Sequence, residues 1–79
     1  MEVLNLVVSK NGMIEYINSY IDAGNFNESF QEAKKDFEEE IRKTEKNEQE
    51  IEVAMDNGYY FNDNGVEILL KYSDYTNQQ

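Results

Sequence analysis

Phe26, Phe30, Ala33, Phe37 and Ile41 recur at steps of four, three, four and four, and every residue between them is polar. At helical period these positions form a single apolar stripe, so the pattern predicts one long amphipathic helix over residues 25–48. The charge order agrees. Asn25 with Glu28 makes a capping-box pair for the first turn. Glu28 and Glu32 fall near the positive end of the helix dipole, and Arg42, Lys43 and Lys46 gather toward the other end. The stripe stops at Ile41, so fraying or a change of structure is expected between Thr44 and Gln49. A stripe this narrow needs a cover. A coiled-coil partner is the weaker choice because three heptads are not sustained, which leaves the flanking segments to supply it.

Upstream, Val3 to Val8 alternates loosely and predicts a short N-terminal strand within residues 1–10. Asn11-Gly12 breaks that pattern. Asn11 is a good helix N-cap, and Met13, Ile14, Ile17, Tyr20 and Ile21 lie on one helical face, so a short helix is expected over 12–23 with Ala23-Gly24 as its stop. Downstream the period changes to two. Asp56-Asn57-Gly58 and Asp63-Asn64-Gly65 repeat one triplet, and Asn-Gly is a strong hairpin signal. The triplets divide residues 50–72 into three strands, near Glu50–Met55, Tyr59–Asn62 and Val66–Tyr72. A three-residue loop at the first triplet, with Gly58 left-handed, pairs Met55 with Tyr59 and Val53 with Phe61. An even loop at the second keeps Phe61, Val66, Ile68 and Leu70 on that same face, and leaves Tyr60, Glu67, Leu69 and Lys71 outside. The expected fold is α+β, a single domain. It has a short N-terminal strand, a short helix and one long amphipathic helix packed on a three-stranded antiparallel β-meander, with a frayed tail over 73–79.

Charge and missing residue types narrow the function. Seventeen acidic residues against seven basic ones give a net charge of −10, and the 79 residues include no Cys and no His. Disulfides, zinc sites, thiol chemistry and histidine proton transfer are therefore excluded, and only oxygen ligands remain for a metal. The longest aliphatic run, Leu6-Val7-Val8, is far too short to span a bilayer, and the residues after Met1 lack the pattern of a signal peptide. A cytoplasmic protein with no membrane partner is expected. A field of this sign repels nucleic acid and attracts basic protein surfaces, although acidity also serves solubility alone.

No motif carries catalysis. If Gly65 took the sixth position of a calcium-binding loop, Tyr60 and Lys71 would stand where acidic ligands are needed. With Gly58 there, the misplaced residues would be Val53 and Asn64. Turn chemistry alone accounts for both triplets, so no metal site is assigned. The clusters Glu38-Glu39-Glu40 and Glu50/Glu52 look solvated and lack the pocket that would shift a carboxyl pKa. With no phosphate loop, nucleophile set or nucleotide fingerprint, neither an enzyme nor a cofactor is expected.

An interaction protein is the remaining class. Carboxylates spaced along a rigid helix can stand in for phosphates and compete for the Lys and Arg of a basic groove in a nucleic-acid-binding protein. The candidate partner-binding residues are Glu32, Asp36, Glu39 and Glu40 on the helix, and Glu50, Glu52 and Glu67 on the sheet. Tyr60 joins them as an aromatic either exposed or half-buried at a sheet edge. In charge, size and lack of a catalytic set the chain resembles the small inhibitors that phages make against nucleic-acid-binding defence enzymes, anti-CRISPR proteins among them. That resemblance is one of composition and implies an inhibitor. The alternatives are an antitoxin- or immunity-type subunit for one dedicated basic protein, and a structural module forming a homodimer through the long helix.

Overall fold

The computed structural model describes the backbone of residues 2–21 and 26–74, and the side chains of residues 3–21 and 28–72. In chain order the elements are β1 (Glu2–Lys10), β2 (Met13–Ile21), α1 (Phe26–Arg42), α2 (Glu48–Asn57), β3 (Tyr59–Phe61) and β4 (Val66–Asp74). The strands form one antiparallel sheet in the order β2-β1-β4-β3, and the two helices connect its two hairpins. The class is α+β, but the layout differs from the expected long helix on a three-stranded meander.

The first correction is at residues 12–23, where the chain forms a strand instead of a short helix. Asn11 (φ 53°) and Gly12 (φ 82°) are both left-handed, and they close a two-residue hairpin between the paired Lys10 and Met13. The helical spacing of the isoleucines has another origin. Ser9 pairs with Ile14 and Val8 with Tyr16, so Glu15 is an extra residue, a bulge. Across that bulge Ile14 and Ile17 share a face, although three-residue spacing in a regular strand would put them on opposite faces.

The second correction divides the long helix. α1 ends at Arg42, and α2 starts afresh where the Asn47 side-chain oxygen accepts the backbone N–H groups of Gln49 (2.9 Å) and Glu50 (3.2 Å). The third concerns Glu50–Met55, expected as a strand and found as helix. Ile51 and Ala54 are buried at helical spacing with Met55 packed beside them, while Val53, expected inward, is exposed.

The two triplets therefore do different work. Gly58 (φ 69°) is the left-handed cap of α2, its N–H bonded to the Ala54 carbonyl at 2.8 Å. Asp63-Asn64-Gly65 closes the β3–β4 hairpin as a three-residue loop. There Gly65 (φ 83°) donates to the Asn62 carbonyl, and the Asn62 N–H to the Val66 carbonyl, both at 3.1 Å. The odd loop belongs to the second triplet, so the parity of β3 is reversed. Tyr60 is 5% exposed and faces the helices, whereas Phe61 is 57% exposed and faces away.

The helical seam lies where its spacing predicts. Ala33, Phe37 and Ile41 are fully buried against Leu4, Leu6, Val8, Tyr20 and Ile68, with Phe30 packed at the margin. The core fills the space between the helices and one sheet face. β4 continues to Asp74, past the expected end of its strand. The expectations at Ala23-Gly24, Asn25, the Phe26 side chain and residues 75–79 lie outside the described residues.

Candidate functional site

Strand alternation aims Tyr16 and Tyr20 of β2 at α1, and three contacts lay the helix along that strand. Ser29 Oγ donates to the Ile21 carbonyl (3.0 Å), Tyr20 Oη to Asp36 Oδ2 (2.6 Å) and Tyr16 Oη to Glu40 Oε2 (2.8 Å). Asp36 and Glu40 are thus braced from the sheet. Glu32, Asp36, Glu39 and Glu40 fall at i, i+4, i+7 and i+8, one flank of the helix, and Glu32 and Glu39 on its outer side are exposed. Lys35 lies in the same outer arc, and Lys43 Nζ binds Glu40 Oε2 at 2.8 Å. Burial and the Glu40 carboxylate push the Tyr16 hydroxyl up to about 12. Burial and Asp36 raise Tyr20 in the same way. Both tyrosines therefore remain donors at neutral pH.

The other four predicted residues do not join this flank. Glu52 lines a groove of about 330 Å³ between α1 and α2 with Glu38, Glu48, Asp56 and Arg42. Arg42 is already engaged there. Its Nε bonds Glu38 at 2.7 Å, and its two terminal nitrogens bond Glu48 at 2.7 and 3.1 Å. Those bonds raise the guanidinium's pKa and lower that of Glu48. Glu50, two residues from Glu52, projects from the other side of α2. Tyr60 is buried, against the expectation of an exposed or half-exposed aromatic. It donates to Glu45 Oε1 (2.8 Å) and accepts from Asn62 Nδ2 (3.1 Å), and its bond to Glu45 is the main cause holding that carboxyl below its usual range. Glu67 sits on the sheet face turned away from the helices, where it accepts from Ser9 Oγ (3.5 Å) and Tyr59 Oη (2.8 Å).

That far face is the feature sequence reasoning missed. The registers Ile17↔Val7, Val7↔Leu69 and Leu69↔Tyr59 draw one apolar row across all four strands. Ile14, Ile21 and Phe61 extend it on either side, while Val3 at one end is buried. Ile14 is 62% and Ile17 53% exposed, and among the described residues no element packs on this face. The available signal was Asn11-Gly12, which makes a hairpin and so turns the isoleucines into strand residues.

Among the described residues no group of three or more carboxylates converges to hold a metal, and no helix is long and apolar enough to cross a membrane. The acidic side chains of α1 form a row. No protein-family model, curated protein or solved structure matches the chain.

Proposed function

We propose that this is a binding protein that presents the outer flank of α1 to a basic groove on a nucleic-acid-binding protein, and so inhibits by occupying the place of nucleic acid. The observation behind this reading is the braced row Glu32, Asp36, Glu39 and Glu40, whose inner members are held by Tyr20 and Tyr16. With Glu28, five carboxylates lie within twelve helical steps, about 18 Å at 1.5 Å per residue. Successive members stand about 6, 6, 4.5 and 1.5 Å apart along the axis, a mean of roughly 4.5 Å against the ~3.4 Å between phosphates on one nucleic-acid strand. Bracing of Asp36 and Glu40, the latter also paired with Lys43, holds the helix against β2 and leaves Glu32 and Glu39 turned to solvent.

The test is to capture a partner on the immobilised parent protein and then to measure its binding to the Glu32→Lys/Glu39→Lys variant, with salt titration and nucleic-acid competition. Both positions are exposed, so the fold is preserved. The variant is expected to bind more than about ten-fold more weakly with a shallower salt dependence, and excess nucleic acid should displace the parent protein. Unchanged affinity and salt slope would overturn the reading. Binding that weakens in the variant but resists nucleic acid would identify a dedicated basic partner of the antitoxin or immunity kind.

A further inference from the structure

The face of the sheet away from the helices carries an exposed apolar row flanked by polar residues and by one charge of each sign, and no described element packs over that row, whereas the helical layer is acidic. We propose that a second copy of the chain covers it, face to face, as a twofold-symmetric dimer. This goes beyond the proposed binding of a basic partner and uses the opposite side of the molecule.

Size is the first support. Ile14, Ile17, Ile21, Tyr59 and Phe61 are each more than two-fifths exposed on this face, with Val7 and Leu69 between them. Nine-residue strands at ~3.3 Å per residue, laid about 4.8 Å apart, make a face of roughly 500 Å². Asn5, Ser9, Ser19, Glu67 and Lys71 share this face, and the apolar side chains gather in the transverse row Ile17–Val7–Leu69–Tyr59; an apolar strip rimmed by polar residues is the form an interaction site takes. Two such faces together remove about 1,000 Å², the lower bound for a specific interface.

Charge selects the occupant. Residues 26–57, the helical layer, hold eleven acidic and five basic residues, so two copies repel through that layer. On the paired positions of the open face the charges are Glu67 and Lys71, one of each sign. Meeting through the open face keeps the two acidic helical layers farthest apart, and the self-repulsion that remains is of the kind that salt screens.

The pattern is also self-complementary. Glu67 and Lys71 stand two residues to either side of Leu69 on one strand, and Leu69 lies in the transverse row Ile17–Val7–Leu69–Tyr59. A twofold axis along that row sets Ile17, Val7, Leu69 and Tyr59 each over its own counterpart, and Ile14 over Ser19 of the second copy. It sets Glu67 over Lys71 of the second copy and Lys71 over its Glu67, and it brings Ser9 over Asn5. Two charge pairs and a continuous apolar strip result, the isologous arrangement a twofold interface requires. Sheets so packed lie about 10 Å apart, crossed by about 30°. The helical layers then face outward, and both α1 flanks stay open.

Sedimentation equilibrium on the full chain, from micromolar to millimolar concentration and at low and high salt, tests this. A dimer is expected that tightens with salt as the self-repulsion is screened. Partner binding through α1 should instead weaken with salt, so the two readings fail separately. Ile17→Lys should weaken the dimer at least about ten-fold while leaving circular dichroism and partner binding unchanged. Glu67→Lys should weaken it, and the exchange Glu67→Lys/Lys71→Glu should restore it. A monomer at millimolar concentration overturns the proposal. A dimer indifferent to Ile17→Lys places the contact elsewhere, such as the exposed β2 edge, and a charge exchange no better than the single change refutes the twofold register.

Discussion

The backbone N–H of Asn11 donates to the carbonyl of Gly65 at 2.8 Å, tying the β1–β2 turn to the β3–β4 turn. Gly12 and Gly65 have nearly the same left-handed backbone, with φ of 82° and 83°, but different surroundings. A Cβ on Gly12 would meet nothing within 4 Å, whereas one on Gly65 would collide with Asn11 Oδ1 and stand 3.3 Å from the Asn11 nitrogen. Gly12→Ala should therefore cost only the left-handed penalty, about 1–2 kcal/mol. Gly65→Ala should cost roughly 2–4 kcal/mol because the neighbouring turn must also move. Urea unfolding of the two variants checks this, and equal losses would show that the turns are not packed together.

Tyr60 links the sheet to the segment between the helices through Glu45. Tyr60→Phe keeps the ring and should cost about 1 kcal/mol from the lost hydroxyl. Glu45 titrates below its ordinary 4.5, chiefly because that hydroxyl bonds its carboxylate. The folded state has the lower pKa, so this contribution is complete above 4.5 and fades as pH falls through the folded value. Denaturation midpoints measured between about pH 5 and pH 3 should fall less steeply in Tyr60→Phe than in the parent.

The two tyrosines beneath α1 act at the opposite limit. Tyr16 is raised from 10.0 to about 12, and Tyr20 is raised as well. A raised folded pKa means that their contribution is whole below pH 10 and disappears as pH climbs through the folded values. Phenolate absorbance should show these two hydroxyls ionising late, together with loss of the fold. Asp36→Asn removes the negative neighbour of Tyr20 and should let that hydroxyl ionise at lower pH. A titration curve identical to the parent's would count against the Tyr20–Asp36 bond.

Asn47 determines where the second helix begins. Asn47→Ala should cost about 1 kcal/mol by stranding the N–H groups of Gln49 and Glu50, while Asn47→Asp should retain most of the stability. In a domain of this size the alanine variant should melt about 4–8 °C lower.

How legible each element was depended on whether its period had one explanation. The seam of α1 could be read because Ala33, Phe37 and Ile41 repeat at helical steps in a helix that is really there. Ile14, Ile17 and Ile21 repeat at the same steps for a different reason, since the bulge at Glu15 slips the strand by one residue. Periodicity cannot separate these cases, but the Asn11-Gly12 turn does. In α2 the alternation of Ile51, Val53 and Met55 coincides with a helical pair at i and i+4, and Val53 is the residue that breaks the tie by facing solvent. The triplets are identical, and both need a left-handed glycine. What differs is upstream, where Asn47 starts a helix. The α1 carboxylates could be placed from helix geometry alone, whereas the open face exists only once β2 pairs with β1.

Strand order has a kinetic corollary. β4 follows every other element in the chain yet occupies the middle of the sheet, with Glu2 paired to Asp74. Its partner β1 comes first, so the floor on which both helices rest is completed only by closing a loop that spans nearly the whole described chain. That search is slow because its entropy is lost before any long-range contact compensates for it. Until it ends, the β1–β2 hairpin carries two open edges, and the refolding rate is expected to respond most to changes along the β1–β4 pairing, such as Leu6 opposite Leu70.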